Sequence, residues 1–263
     1  MEILVCARRV PDTSENEIAL NSAGNDIESG ELVYSINEPD NYAVEEALQI
    51  AARAGGTVTV VTVGGEEDEE ILRREMAMGA NHGVLLSDEG FAESDGRGIA
   101  AILKAFVRKG NYDLILSGVQ AEDGAAQVGG MLAAMLDYPF ASLVTAIEIL
   151  DGKKLKISRE IEGGNREINE IELPCVLSIQ TGINEPRYVG MRGIRAVASV
   201  PIPMYGAAEL GVEPGSVGAA GAKVKRVDYF IPAAGKGAQM LAGSREEKIE
   251  RLMELLAAKG GLK

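Results

Sequence analysis

The stretch with the clearest chemical potential is Leu116-Ser117-Gly118-Val119-Gln120-Ala121-Glu122-Asp123-Gly124-Ala125-Ala126-Gln127-Val128-Gly129-Gly130, which follows an apolar run and leads into a helical pattern. Gly118 and Gly124 permit close backbone approach. The N–H groups from about Gly124 to Gln127 would form the positive end of a helix dipole, which suits a phosphate. Gln120 has donors and an acceptor to read a base edge or a ribose. A plainer role fits the same residues, with Asp123 capping the helix and the small side chains letting it lie close on a sheet. The stretch matches neither the dinucleotide fingerprint nor a P-loop, and the Asp123 carboxylate would repel a phosphate unless turned toward the ribose.

A second cluster is Gln180-Thr181-Gly182-Ile183-Asn184-Glu185-Pro186-Arg187-Tyr188. Glu185 and Pro186 are favourable first-turn residues, so the pattern predicts a helix capped by Asn184 and running to about Val197. Ile183 is then expected in an exposed turn, as a staple onto its own helix or as an anchor for a partner. Elsewhere the residues point away from catalysis. The single histidine, His82, falls in a helix-to-strand turn, and no GxSxG, HExxH or triad ordering occurs. Cys6 and Cys175 are far apart inside apolar runs, with no CxxC, so they read as small buried hydrophobes rather than as zinc ligands or a redox pair. The expectation is no catalytic residue and no metal.

The elements that must position these clusters follow from hydrophobic patterning. Apolar runs rich in Val, Ile and Leu, from Glu2 to Ala7, Thr57 to Val63, Gly83 to Ser87 and Tyr112 to Ser117, read as strands. They alternate with helical stretches over Asn41 to Ala54, Glu66 to Met78 and Gly96 to Lys109. That alternation predicts an α/β fold with an open, mostly parallel, twisted sheet and helices on both faces. The polar insertion from Pro11 to Pro39 is too long for a βα loop and is expected to hold a small hairpin at the carboxyl end of a central strand, where such sheets bind ligands. Ser142 to Ile149, Lys154 to Glu162, Glu167 to Glu172 and Cys175 to Gln180 read as further strands. The turn pairs Asp151-Gly152 and Gly163-Gly164 mark an antiparallel extension.

From about Pro201 to Gly243 the chain holds many Gly, Ala and Pro residues and few large apolar groups, so it is a disordered tail or an arm. A final helix from Ser244 to Lys259 opens on a capping-box pattern and places Ile249, Leu252, Met253, Leu255 and Leu256 along one side. That side is expected either to dock on another molecule or to pack on its own domain. Residues 1–200 are read as a nucleotide-binding domain and 201–263 as an arm and docking helix. With 26 basic and 40 acidic side chains the net charge is −14, which argues against nucleic acid as a partner. A composition of 46% hydrophobic and 25% charged residues is that of a globular protein. No apolar run reaches the roughly 20 residues that cross a bilayer, and the start lacks the pattern of a secretory signal, so the expectation is a cytoplasmic protein without direct membrane insertion.

With those residues identified, the chain resembles the β subunits of electron transfer flavoproteins. The resemblance rests on Asn184-Glu185-Pro186-Arg187-Tyr188, Ala43-Val44-Glu45-Glu46-Ala47-Leu48, Ala77-Met78-Gly79-Ala80 and Ser117-Gly118-Val119-Gln120-Ala121-Glu122-Asp123-Gly124, in the expected order. It implies an adenine nucleotide alpha hydrolase-like fold and a heterodimer with an α subunit that holds most of a redox-active FAD, while β buries an AMP. Carried over position by position, the AMP pocket would use Ala7, Asn37, Glu38, Pro39, Asp40, Val63 and the stretch from Gly118 through Gln120, Asp123, Gly124, Ala125, Ala126 and Gln127 to Val128. Ile183, with Asn184 to Tyr188, would meet an acyl-CoA dehydrogenase, and electrons would pass onward to an electron transfer flavoprotein–quinone oxidoreductase. The arm and final helix would wrap the α subunit.

Some members resembling this chain bind a second FAD in place of AMP and bifurcate electrons from NADH. Here Asp123-Gly124-Ala125-Ala126-Gln127-Val128-Gly129 looks like their DGDTAQVG with one residue missing and the Thr lost. Ser94-Asp95-Gly96-Arg97-Gly98 stands where they carry ADTxAT, so hydroxyls for a second diphosphate are absent. The AMP-type segments DDDCNQTG and the lysine-rich run after NEPRY are absent as well, the latter replaced by Arg195-Ala196-Val197-Ala198-Ser199. A third alternative is a stand-alone adenine-nucleotide sensor resembling universal stress proteins, though the glycine and serine pattern for their ATP phosphates is missing after Gly118.

Overall fold

A computed structural model describes every residue except 122–124, 152, 234, 236 and 262–263. The chain forms two compact units, Met1–Ala19 with Glu28–Val227, and Leu20–Ile27 with Asp228–Lys263. The first unit begins with β1 (Glu2–Cys6), β2 (Arg9–Pro11), β3 (Tyr34–Ile36), α1 (Glu38–Ala54), β4 (Thr57–Val63), α2 (Glu69–Met78) and β5 (His82–Leu86). It continues with α3 (Gly96–Val107), β6 (Leu114–Gly118), α4 (Val128–Leu136), β7 (Phe140–Ile149), β8 (Lys154–Ile161), β9 (Asn165–Glu172) and β10 (Cys175–Ile179). Short elements follow, α5 (Met191–Val197), β11 (Met204–Tyr205), α6 (Ala207–Leu210) and α7 (Gly218–Gly221).

Nine strands form one sheet in the order β11-β5-β4-β1-β6-β10-β7-β8-β9. It is parallel from β11 to β7 and antiparallel from β7 to β9. The central strands are apolar at nearly every position because both faces are covered. Ile3, Val5, Val58, Val60, Leu114, Leu116 and Leu177 enter one core cluster with Ala43, Val44 and Ala47 of α1 and Leu72 of α2. The alternate residues Leu4, Val61, Ile115 and Val176 enter another with Ile102 and Phe106 of α3 and Leu132 of α4. Period-two alternation thus divides each strand between two cores.

Gly163-Gly164 marks the β8–β9 reversal as expected, with φ of 77° and 73°; Gly152 of the other expected turn pair lies outside the described residues. Nothing local places β10 between β6 and β7; its complete burial accounts for that central position. α1 starts three residues before the expected Asn41, since Pro39 is tolerated in a first turn and Glu38 and Asp40 favour the helix dipole there. The long insertion closes at its base in the expected small antiparallel pair, β2 against β3. No helix among the described residues is long and apolar enough to cross a membrane.

The second unit contains α8 (Arg245–Ala258), with Ser244 and Glu247 forming the expected capping box. None of its side chains is buried, and Ile249, Leu252, Met253 and Leu256 remain between about 38% and 51% exposed.

α4 lies close on the sheet because Gly129 has no side chain. A Cβ there would come within 2.5 Å of Ser178 Oγ and 3.1 Å of Ser117 Oγ. Gly129→Ala is expected to destabilise the fold by about 1–3 kcal/mol through overpacking. Gly130→Ala, whose Cβ would meet only the Phe140 ring at 3.4 Å, is expected to be neutral or slightly stabilising. Urea unfolding of the two variants checks the contrast.

Candidate functional site

β1 and β6 are neighbours, yet the chain winds outward from β1 through β4 and β5 before crossing back to β6. That reversal opens a crevice beyond the carboxyl ends of the two strands, the usual ligand position in open α/β sheets. Asp40, in the first turn of α1, spans it. Its Oδ1 accepts the Gly118 N–H at 2.6 Å and its Oδ2 the Arg8 N–H at 3.0 Å. Asn37 donates from Nδ2 to the Gln120 carbonyl at 2.9 Å and from its backbone to the Arg8 carbonyl at 2.8 Å. Gly118 must lack a side chain, because a Cβ would lie 2.6 Å from both Asp40 Oδ1 and Pro39 Cβ.

The structure therefore gathers Ala7, Asn37, Pro39, Asp40, Gly118 and Gln120 around one crevice, although they come from three separate stretches of chain. Glu38 is exposed on the adjoining turn, and Val63 ends the next strand, β4. Asp123 and Gly124 lie outside the described residues, as does Glu122. Ala125, Ala126 and Gln127 are exposed ahead of α4.

The helix expected from about Gly124 begins at Val128, because Ala126 turns to φ 50° and interrupts it. The positive helix end is thus formed by the amides from Val128 onward, and Gln127 makes no side-chain cap to them. Arg8 joins the crevice through its backbone N–H, and Arg9 follows it on β2, with no motif to mark either. Arg9 lies 3.8 Å over the Tyr34 ring and 3.8 Å from Asp68, and its buried Nε has no hydrogen-bond partner among the described residues. Consecutive arginines just after a central strand of an acidic chain were the available signal.

The second cluster also differs from expectation. Asn184 is not a helix cap; residues 184–190 carry no regular structure, and α5 starts at Met191 after Gly190. The reason is competition from α1. Asn184 Nδ2 donates to the Tyr42 carbonyl and to Glu46 Oε2, each at 3.1 Å. Arg187 donates from Nε and Nη2 to Glu45 at 2.8 and 2.9 Å. Ile183 is half-buried against the core rather than in an exposed turn, Glu185 is exposed and Pro186 half-buried, while Tyr188 is 93% exposed.

Burial pushes the thiols of Cys6 and Cys175 up to about 12, as suits inert side chains. His82 is exposed at the start of β5. Among the described residues no three His, Cys, Asp or Glu are grouped to hold a metal.

The electron transfer flavoprotein domain family matches residues 27–210. An electron transfer flavoprotein subunit beta of Methylophilus methylotrophus is 33% identical over 260 residues, covering 97% of this chain and 98% of the relative. The caffeyl-CoA reductase-Etf complex subunit CarD of Acetobacterium woodii is 38% identical over 253 residues, covering 95% of each. The acryloyl-CoA reductase electron transfer subunit gamma of Anaerotignum propionicum is 34% identical over 268 residues, covering 98% of this chain and 99% of the relative.

Two carboxylates are buried under different conditions, Asp40 at the crevice and Glu75 in α2. Burial pushes Asp40 up to about 6, held from rising further by the bonds from Asn37, Gly118 and Arg8. Burial pushes Glu75 of α2 up to about 8, and neither of its oxygens has a hydrogen-bond partner among the described residues. A carboxyl whose folded pKa is raised keeps its proton while the unfolded chain has lost it. Its contribution to stability is complete below the unfolded pKa and disappears as pH rises through the folded one. Wild-type stability should therefore fall between pH 4.5 and about 8 more steeply than that of Glu75→Gln. The variant should gain at least about 1 kcal/mol relative to wild type over that range. Urea titrations at pH 5 and pH 8 measure it; parallel losses in both proteins would refute the assignment.

Proposed function

This chain belongs to the electron transfer flavoprotein β-subunit family, and on that premise we propose that it is the β subunit of a heterodimeric electron carrier. In this reading an α subunit holds most of the FAD, the β1/β6 crevice holds AMP, and electrons arrive from an acyl-CoA dehydrogenase and leave to a quinone oxidoreductase. The observation that carries it is the match to a β subunit along 97% of this chain and 98% of the relative. The exposed apolar side of α8 supports an α-subunit partner.

The residues of the crevice fit an adenylate. The uncapped first turn of α4 offers donors of the kind a phosphate takes. Asn37 and Asp40 fix the backbone on either side, and Gln120 is exposed there for a base or ribose. Asp123, Gly124, Ala125, Ala126, Gln127 and Val128 belong to the same proposed pocket, with Glu38 and Val63 at its margins. Bound FAD would supply the one- and two-electron chemistry, and AMP none. This chain's own part is to shape the flavin's surroundings and to present a docking surface. Ile183, with Asn184, Glu185, Pro186, Arg187 and Tyr188, forms that surface, on which the Tyr188 ring is exposed.

A second reading has a specific observation behind it. CarD, a subunit of a caffeyl-CoA reductase complex, is 38% identical to this chain, against 33% for the Methylophilus subunit. On that reading the crevice takes a second FAD and the complex bifurcates electrons from NADH. Against it, Ser94 and Asp95 are already engaged within the chain. Ser94 Oγ accepts the Gly218 N–H at 2.8 Å, and Asp95 accepts N–H groups of Gly98 and Lys223 at 2.8 and 2.6 Å.

Cofactor counting on the heterodimer co-expressed with its α subunit separates the two. One FAD and one AMP per dimer is the expected result; two FAD and no AMP would replace the first reading by the second. Ile183→Ala is expected to slow transfer from a reduced acyl-CoA dehydrogenase by about tenfold with flavin content intact. Wild-type transfer by this variant would remove Ile183 as the anchor.

A further inference from the structure

We infer that Glu45 and Glu46 of α1 are positioning residues that hold the Ile183–Tyr188 stretch in the form a partner recognises. The inference rests on the reading of that stretch as the docking surface. Adjacent residues on a helix project about 100° apart, and a glutamate pair ordinarily leaves at least one carboxylate in solvent. Here both residues are only 4% exposed. Burying two carboxylates costs several kcal/mol unless donors meet them.

The donors come chiefly from Asn184 and Arg187, 138 and 142 positions further along the chain. Glu45 takes the fork of Arg187 at 2.8 and 2.9 Å, the Arg187 backbone N–H at 3.2 Å and Gln49 Nε2 at 3.0 Å. Glu46 takes Asn184 Nδ2 at 3.1 Å and Arg53 at 3.2 Å. The guanidinium of Arg187 holds the Glu45 carboxyl below its ordinary range against the effect of burial. All these side-chain bonds of Asn184 and Arg187 end on α1.

The C-terminus of α2 completes the seat. A Cβ on Gly79 would lie 3.7 Å from Arg187 Nη1, and one on Gly193 of α5 would lie 2.8 Å from the Ala77 carbonyl. Arg187 thus lies beside a helix C-terminus, where a cation is favoured. The stretches Ala43–Leu48, Ala77–Ala80 and Asn184–Tyr188 meet at this one place. They leave Tyr188 exposed and Ile183 half-buried against the core. A loop without regular structure cannot present two side chains in fixed relation by itself; the two glutamates supply that fixation through charge-assisted bonds.

The test uses the intact heterodimer with a reduced acyl-CoA dehydrogenase as donor. Glu45→Gln loses the paired charge and is expected to raise the KM for the donor about tenfold, with kcat, FAD and AMP content unchanged. Glu46→Ala should behave likewise, whereas Glu46→Gln, which keeps an acceptor for Asn184, should remain near wild type. Amides of residues 184–190 should exchange hydrogen faster in the first two variants. If Glu45→Gln does not assemble, Arg187→Lys, which keeps the charge but loses the fork, must show the same rise in KM. Wild-type KM in these variants while Ile183→Ala is impaired would overturn the positioning role alone. Wild-type KM in Ile183→Ala as well would overturn the docking reading and this inference with it.

Discussion

One buried carboxylate governs the geometry of the crevice. Asp40 sits where three pieces of chain converge, and its two oxygens hold the backbone N–H groups of Arg8 and Gly118. Removing a carboxylate from water is costly, so the arrangement persists only while those donors stay in place. The position in the first turn of α1 adds the favourable end of the helix dipole. From this follow the absence of a side chain at Gly118, the approach of Pro39 to it, and the spacing of the β1 and β6 ends. The site is shaped by satisfying a charge rather than by packing alone.

The same helix carries the second constraint. α1 is 17 residues long, about 25 Å at 1.5 Å per residue. Its first turn closes the crevice, and two turns further on it meets Asn184 and Arg187 through Glu46 and Glu45. Beside these polar contacts, Ala43, Val44 and Ala47 press it on the sheet. A rigid element with apolar residues on one side and three buried acids elsewhere has little freedom to slide. The crevice and the proposed docking stretch are consequently referred to one common frame.

Much of this architecture was legible locally. Continuous apolar runs announced strands covered on both faces, because only a doubly buried strand needs apolar groups at every position. The capping box of Ser244 and Glu247 fixed the start of α8, since it operates within four consecutive residues. The turn glycines 163 and 164 marked the reversal between β8 and β9 for the same reason. The misplacements occurred where a distant partner outcompeted a local preference. Asn184 and Pro186 have good helix-start chemistry, but Glu45 and Glu46 recruit Asn184 and Arg187 instead. The start of α4 moved because Ala126 adopts a conformation its residue type does not advertise.

Taken by itself, the amino-acid order determined the element types, the alternation that yields a parallel α/β sheet, and the four stretches by which the family is recognised. Those depend on propensities and periodicities that act over a few residues. Only the tertiary structure decided that β10 enters between β6 and β7, that Asp40 ties Arg8 to Gly118, and that Glu45 and Glu46 receive Arg187 and Asn184. Each is a pairing between groups remote in sequence, and its choice is made by burial: a polar group taken out of water must find whichever donor the folded chain brings within reach.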